Sequence, residues 1–580
     1  MHFTLCTLSL ALCILTGFWG YCHECSREPD DTGDESVYLG ESAWIAEHGG
    51  VSGYLRLCFQ GRYQQTGAYP LLAVAASPFA SRDLAFIRPA RLFKSVLTTL
   101  ALIGIFIVTG RLTTWDRGAW LIAMIALSRN WLGKAGVFTI DPIIYPLIFF
   151  AWLLIAGLWR PKGRWLWAGA AFGLAWMAKG TALLLLAGLI GAVAWRLAFG
   201  RDRLRLLRSA RFWMAGILFA AGMAVTAAPL LVQTTLASHS ESALTRYLPA
   251  GLWMDSWSQR LETNPERASQ EMSGFLQRHG VAGAGERLVR GMISQAPRFA
   301  GVFSIDKESP RALWVLTLIC SAVLFALAVR GIVREPALRS SAASAGGEEQ
   351  DRWARLYTIL FILAGFLLYS WFSAITYASR FAATFGPVFA WYAAAELQSL
   401  LRRLAERCRP ERPELHEAVP RHVLRWILML LCFCLFLSNG TRLPANPREP
   451  LPLKPDYAKL MSWYDQNVAR TGAACIHTMD LGWRFRFLWL LPPSRAVQMP
   501  IAPDFDAFQA WADKAGAEYL LLARPAPEYA DFLKPTLGDF IRDDANTGMV
   551  QIAPIPGWQL VMSDRDGVCD YLIYQRQRTP

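Results

Sequence analysis

The stretch FWMAGILFAAGMAVTAAPLLV, residues 212–232, contains no charged side chain. A run of about 20 apolar residues is what a helix needs to cross a hydrocarbon core roughly 30 Å thick. Comparable apolar blocks recur along the chain, which predicts an all-α polytopic membrane protein. We expect about eleven transmembrane helices, at residues 3–22, 92–110, 120–138, 143–159, 165–178, 181–199, 212–232, 311–329, 356–372, 381–397 and 426–437.

The composition excludes a soluble single domain. The 580 residues are 54% hydrophobic and 18% charged, whereas globular proteins average about 45–50% and about 25%. The net charge of +13 comes from basic residues that cluster in short loops, while a nucleic-acid-binding protein carries a continuous basic face. We therefore expect membrane lipid as a partner and no nucleic acid.

Arginine-rich loops predict the orientation in the membrane. They lie at residues 160–164, 201–211, 330–355 and 402–425, and all four share one side if every predicted span is real. Because Lys and Arg accumulate in cytoplasmic loops, we place this side and the N-terminus in the cytoplasm. The protein is then a multi-pass protein of the cell (inner) membrane, with outer loops at residues 23–91 and 233–310.

The chain divides into a transmembrane domain, residues 1–438, and an extracytoplasmic domain, residues 439–580. A proline-rich linker at residues 444–455 separates them. Strand-like patterns at 473–477, 517–522 and 571–575 and a helical pattern at 505–515 predict a small α/β domain. Cys475 and Cys569 lie in or beside these strands, so an oxidising location allows a disulfide between them, with two free thiols as the alternative.

The acidic pair Asp34-Glu35 is the first candidate active-site group. It follows the first predicted span and opens a helical pattern that Gly49-Gly50 is expected to stop. A charge kept beside a transmembrane segment is costly and often functional. An aspartate at a helix start is also a common N-cap, so both interpretations stay open.

Asp141 is the second candidate, in a loop of a few residues between two apolar blocks. It has a structural alternative as the N-cap of the next helix, with Pro142 at the first helical position. Two acidic groups on two outer loops can instead converge on one site. A carboxylate pair there could deprotonate a hydroxyl or hold a metal ion.

Lys179 and Arg380 are the candidate cations. Lys179 lies between two apolar blocks, where a lysine must extend to the interface or pair with an anion. Arg380 precedes another block, where a cation at a helix start opposes the helix dipole and favours a bound anion such as phosphate. Interfacial anchoring is the structural alternative for both residues.

Taken in order, these features resemble the GT-C-type integral-membrane glycosyltransferases, the superfamily of protein O-mannosyltransferases and of aminoarabinose transferases acting on lipid A. The resemblance covers roughly residues 1–400 and indicates a GT-C-like fold. The matching motifs are Asp34-Glu35 with Tyr38, Tyr69-Pro70-Leu71, Arg91, Asp141, Gly173-Leu174-Ala175 with Lys179-Gly180, and Arg380-Phe381 with Pro387.

The resemblance implies a sugar donor carried on a polyprenyl phosphate and transfer to an acceptor on the outer face of the membrane. The acceptor is left open between a lipid, a glycan and a protein. Lys179, Arg380 and Arg91 are then the expected phosphate-binding residues. Asp34 is the expected general base.

The other roles also follow from the resemblance. Glu35 and Asp141 are the further catalytic carboxylates, and Tyr38, Tyr69 and Pro70 are expected to line the donor or acceptor loop. No cofactor is implied with certainty, and a divalent metal ion between Asp34 and Asp141 is left open.

A transporter or flippase of a lipid-linked or anionic solute is the main alternative function. Charged groups near the membrane suit such a protein as well. Against it, the polar residues cluster outside the predicted spans, and the sequence shows no inverted repeat. A structural membrane subunit is a third alternative, but it explains none of the charged residues.

Overall fold

A computed structural model describes residues 2–577, apart from gaps. Tyr69 and Cys569 lie in these gaps, so the expected role of Tyr69 and the expected Cys475–Cys569 disulfide fall outside the described residues. The side chains of Asp34 and Arg380 also lie outside the described part. The gaps are residues 28–33, 64–69, 127, 201–202, 238–251, 256–271, 306–310, 335–346, 374–378, 409, 441–443, 450–454, 478–495, 500–501, 524–535, 539–540, 545–548, 553 and 564–570.

Helices occupy the predicted apolar blocks, apart from the end of the block at 120–138. In chain order, the helices up to residue 440 are α1 His2–Glu24, α2 Asp34–Glu47, α3 Gly50–Phe59, α4 Pro70–Ala76, α5 Ile87–Leu112, α6 Trp115–Ile125, α7 Arg129–Leu132, α8 Ile144–Ala156, α9 Arg164–Ala178, α10 Leu183–Phe199, α11 Arg203–Arg208, α12 Ala210–Ala237, α13 Met272–Ala300, α14 Arg311–Arg334, α15 Gly347–Phe372, α16 Gly386–Cys408 and α17 Pro413–Gly440.

Seven of the described helices are long and apolar enough to cross a membrane, namely α1, α5, α10, α12, α14, α15 and α17. Helices α8 and α9 are apolar but have only 13 and 15 residues. The predicted span at 120–138 is wrong as a single helix, because α6 ends at Ile125 and the chain then turns. This turn lets Gly136 pack against α1, where a Cβ atom would lie 2.0 Å from the carbonyl oxygen of Gly20.

Helix α8 forms the centre of the transmembrane domain, and nearly all of its side chains are buried. Trp152 packs its ring against Trp391 and Tyr392 of α16. Its indole Nε1 donates a hydrogen bond to Thr358 Oγ1 of α15, at 3.0 Å. The polar atom of this large side chain is thus satisfied inside an apolar core, as burial requires.

Small residues bring α9 and α12 into close contact. A Cβ atom on Gly169 would lie 1.9 Å from the carbonyl oxygen of Phe219, and one on Gly173 would lie 2.1 Å from Thr226 Oγ1. Glycines four residues apart allow helix backbones to approach closely in a membrane. This packing fixes α9, whose last residue immediately precedes Lys179.

Helices α2, α3 and α4 pack beside the ends of α9 and α12. The Tyr63 ring contacts the rings of Trp44 and Tyr54. All three residues share a buried cluster with Met177 and Leu230. Between α2 and α3, Gly49 and Gly50 have φ values of +96° and +63°. These are left-handed conformations that favour glycine, so the predicted helix stop at this pair is confirmed.

The C-terminal part is a mixed α/β fold, as predicted. Its elements are α18 Pro455–Tyr464, β1 Ala474–His477, β2 Ala496–Gln498, α19 Phe505–Lys514, β3 Ala517–Ala523, β4 Ile541–Asp544, β5 Met549–Ile552, β6 Trp558–Ser563 and β7 Tyr571–Arg576. The main sheet has the order β2-β1-β3-β7-β6, in which β1 runs parallel to β2 and β3. Phe508 and Ala512 of α19 are buried against it.

Candidate functional site

Helix α5 carries three basic side chains on one face, because residues three apart lie close together on a helix surface. Arg88, Arg91 and Lys94 are all buried, although α5 is one of the seven apolar spans. A buried charge is strongly unfavourable unless it is paired and hydrogen-bonded. The partners of these three residues therefore define how the surrounding segments are held.

Arg91 forms a bidentate ion pair with Glu35, and both side chains are fully buried. The Arg91 Nε atom lies 2.8 Å from Glu35 Oε1, and Nη2 lies 2.7 Å from Oε2. The Nη1 atom donates to the backbone carbonyls of Glu24 and Arg27, at 2.5 Å each. The resemblance implies a phosphate for Arg91, whereas these partners are a carboxylate and two carbonyls of its own chain.

Glu35 also contacts the loop that carries Asp141. Its Oε1 atom accepts a hydrogen bond from the backbone N–H of Phe138, at 2.9 Å. Glu35 thereby connects α2, α5 and the segment before α8. Asp34 is the first residue of α2, so its backbone is held at the same junction.

Asp141 forms an ion pair with Lys179. The Lys179 Nζ atom lies 3.2 Å from Asp141 Oδ1 and 3.3 Å from Oδ2. The side chain of Asp141 is 4% exposed and that of Lys179 is 19% exposed. Two motifs that the sequence separates by 38 positions thus meet at the ends of α8 and α9.

The structural alternative for Asp141 is wrong. Helix α8 begins at Ile144, and Ile143 occupies its N-cap position. Asp141 and Pro142 lie in the turn before the helix, so the aspartate is too far from the first turn to cap it. Its carboxylate contacts Lys179, the residue that follows α9, instead.

Lys94 was not identified from the sequence, yet it lies at the centre of this arrangement. Its Nζ atom donates to the carbonyl oxygen of Asp141 at 2.5 Å, to that of Lys134 at 3.1 Å and to Thr98 Oγ1 at 3.4 Å. The sequence does contain a signal for Lys94, because a lysine inside the apolar block 92–110 needs a partner.

The segment that contains Arg380 lies next to Lys179. Residues Ser379–Phe385 form a 3-10 helix, and the Lys179 Nζ atom lies 5.8 Å from the centre of the Phe381 ring. Tyr369 of α15 stacks on Phe381, with a distance of 4.9 Å between the two ring centres. The structure therefore brings the backbone of Arg380 close to the Asp141–Lys179 pair.

Two further predicted site residues, Tyr38 and Pro70, are buried, and their expected roles in the donor or acceptor loop stay predictions. Tyr38 is buried in the main core beside Leu39, and Pro70 is the buried first residue of α4. Over the described ranges, no group of three His, Cys, Asp or Glu side chains has a metal-binding arrangement. Since the Asp34 side chain lies outside those ranges, a metal ion shared by Asp34 and Asp141 stays a prediction.

Cys58 of α3 is unsuited to act as a nucleophile. Burial raises the pKa of its thiol to about 12, and the nearby Glu41 carboxylate adds to the increase. A reactive cysteine needs a lowered pKa, since the thiolate is the attacking species.

No protein-family model and no curated protein matches the chain. Solved structures of similar fold exist. ArnT from Cupriavidus metallidurans, bound to undecaprenyl phosphate, is 13% identical with a TM-score of 0.49, covering 98% of this chain and 97% of that chain.

Two structures of an archaeal oligosaccharyltransferase are similar as well. AglB from Archaeoglobus fulgidus, in complex with an inhibitory peptide and a dolichol-phosphate, is 11% identical with a TM-score of 0.49, covering 96% of this chain and 74% of that chain. The Archaeoglobus fulgidus oligosaccharyltransferase in complex with Zn and sulfate is 13% identical with a TM-score of 0.48, covering 94% and 72%. In all three cases the similarity extends over nearly the whole of this chain.

Proposed function

We propose that the chain is a membrane glycosyltransferase that moves a sugar from a polyprenyl-phosphate donor to an acceptor on the outer face of the cell (inner) membrane. The observation that supports this most strongly is the meeting of Asp141, Lys179 and Phe381. These residues come from three separate motifs of the resemblance. A carboxylate beside a cation, at the ends of apolar helices, suits a reaction between a lipid phosphate and a hydroxyl.

The donor phosphate is proposed to bind at Lys179 and Arg380, while the lipid tail lies among the apolar helices. Lys179 keeps 19% of its side chain exposed, so an anion can reach it. Arg380 directly precedes Phe381, and a guanidinium suits phosphate because it offers several donors in one plane. Arg91 is proposed to position α2 rather than to bind the phosphate, since its guanidinium already binds the Glu35 carboxylate and two backbone carbonyls.

In the proposed reaction, an acceptor hydroxyl oxygen attacks the anomeric carbon of the donor sugar. The bond between that carbon and the phosphate oxygen breaks, and the polyprenyl phosphate leaves as an anion. The hydroxyl proton passes to Asp34, the proposed general base. A phosphate leaving group needs less acid assistance than an alkoxide, so one base plus stabilising cations suffices.

Glu35 and Asp141 are proposed to support this step rather than to take the proton. Both oxygens of Glu35 bind Arg91, and one of them also accepts the Phe138 N–H. Glu35 therefore holds the segment on which Asp34 lies. Asp141 is proposed to orient the acceptor hydroxyl, and dialysis against EDTA tests whether a divalent ion assists it.

The experiment uses the purified full chain in lipid nanodiscs, with a panel of undecaprenyl-phosphate-linked sugars and a membrane extract as the acceptor source. Release of undecaprenyl phosphate is followed by mass spectrometry. Lys179→Ala and Arg380→Ala should each slow release by roughly ten- to 150-fold, because each removes a charge-assisted hydrogen bond.

Asp513→Asn is the matched control, because Asp513 pairs with Arg576 in the C-terminal domain. Its rate of release should equal that of the parent protein. Translocation of the lipid-linked sugar without release of undecaprenyl phosphate would contradict the proposal and favour a flippase.

A further inference from the structure

We propose that Asp141 competes with the donor phosphate for Lys179, so that donor binding draws Lys179 away from the Asp141 carboxylate. This inference rests on the proposed function. It adds an order of binding, because Lys179 stops pairing with the Asp141 oxygens only after the donor phosphate has bound.

The Lys179 ammonium group contacts both oxygens of the Asp141 carboxylate, and the two side chains differ in their exposure to solvent. The Lys179 Nζ atom is nearly equidistant from the two Asp141 oxygens, at 3.2 and 3.3 Å. Lys179 is the more exposed partner, at 19% against 4%. An anion that approaches this pair therefore reaches the ammonium group before it reaches the carboxylate.

Asp141 is held in place independently of Lys179. Its carbonyl oxygen accepts a hydrogen bond from Lys94 at 2.5 Å and one from Thr139 Oγ1 at 3.3 Å. Lys94 is fully buried and contacts Lys134 and Thr98 as well. The backbone of Asp141 is thus fixed, and it cannot follow a lysine that moves toward a phosphate.

Lys179, by contrast, has room to change partners. It is a single extended residue between α9 and the 3-10 helix Gly180–Ala182. Its four-carbon side chain is flexible and its charge is a compact point that binds either anion. The Phe381 ring, 5.8 Å away, provides a third favourable surface for the ammonium group.

The donor phosphate and the Asp141 carboxylate also affect each other electrostatically. A phosphate at Lys179 lies within a few ångströms of the Asp141 carboxylate, and like charges at such distances repel. The carboxylate should therefore weaken phosphate binding, both by this repulsion and by holding the lysine. Removing its charge should tighten phosphate binding, which is the opposite of what the loss of a direct ligand would do.

The test measures the dissociation constant of undecaprenyl phosphate for the full chain in nanodiscs, by native mass spectrometry. Asp141→Asn should tighten binding by roughly five- to tenfold, the lower part of the range usual for coupled sites. Lys179→Met should weaken binding by at least about tenfold. In the double variant the tightening should be smaller, because only the repulsion between the two anions, and no longer the competition for Lys179, is removed.

Asp141→Ser serves as a second neutral variant if the asparagine protein does not fold, and Asp513→Asn is the control for an unrelated carboxylate. Unchanged or weaker binding in the neutral variants would overturn the inference. So would equal tightening by Asp141→Asn with and without Lys179. If the parent protein does not bind undecaprenyl phosphate saturably, the proposed function fails and the inference fails with it.

Discussion

The Glu35 carboxylate and the Arg91 guanidinium meet through two parallel hydrogen bonds of 2.8 and 2.7 Å, with both side chains fully buried. They lie 56 positions apart in the chain. Breaking a buried pair leaves an uncompensated charge, which costs about 3–5 kcal/mol, whereas replacing both members is much less harmful. The pair therefore acts as a structural junction between α2 and α5.

Glu35→Gln and Arg91→Met should each lower the thermal stability of the detergent-solubilised protein markedly, because each leaves one buried partner without its counter-charge. The double variant should lose less stability than the sum of the single losses, by about 0.5–3 kcal/mol. Melting followed by size-exclusion chromatography measures this. Additive losses would show that the two side chains stabilise the fold independently.

Gly169→Val should prevent normal packing of α9 on α12. A Cβ atom there would lie 1.9 Å from the Phe219 carbonyl oxygen, which is backbone and cannot yield cheaply. We expect a strong loss of folded protein in size-exclusion profiles. Gly216→Val on α12 is the matched control, because a Cβ atom at Gly216 meets nothing within 4 Å. Equal yields for the two variants would contradict the close contact.

Much of the fold follows from the apolar blocks, because a membrane imposes helix length through local composition. The site was predicted only in part. Asp141 and Lys179 stand out as charges in short loops, but their pairing depends on how α8 and α9 pack. Lys94 was missed because one lysine hardly changes the average hydropathy of a long block. The partner of Arg91 could not be predicted, since bidentate pairing requires a tertiary contact between distant segments.

Cys58 should resist alkylation in the folded protein. Burial raises the pKa of its thiol to about 12, so little of the reactive thiolate forms at pH 8, and the residue is buried. Exposed Cys408 should react with maleimide under the same conditions. Peptide mass spectrometry after brief labelling distinguishes the two. Rapid labelling of Cys58 before unfolding would show that α3 opens or that the thiol is not buried.

The predicted orientation places Pro580 outside the cytoplasm. A reporter that is active only outside the cytoplasm should therefore be active when fused after Pro580, and a cytoplasm-only reporter should be silent there. Fusion of the same pair within residues 335–346, a loop on the predicted cytoplasmic side, should give the reverse pattern. Equal patterns at the two fusion sites would contradict the predicted topology.

Asp34→Asn should abolish sugar transfer while leaving the folded protein in the membrane. Asparagine serves as a helix N-cap about as well as aspartate does, but it cannot take a proton from the acceptor hydroxyl. Loss of a general base slows a reaction by about 10²–10⁴-fold. The measurement is release of undecaprenyl phosphate, with melting temperature as the check on folding. This one substitution therefore distinguishes a role of Asp34 as general base from a role at the start of the helix. An asparagine variant with the activity of the parent would assign Asp34 to the helix start alone, and the proton acceptor would then have to be sought at Asp141, because Glu35 is engaged by Arg91.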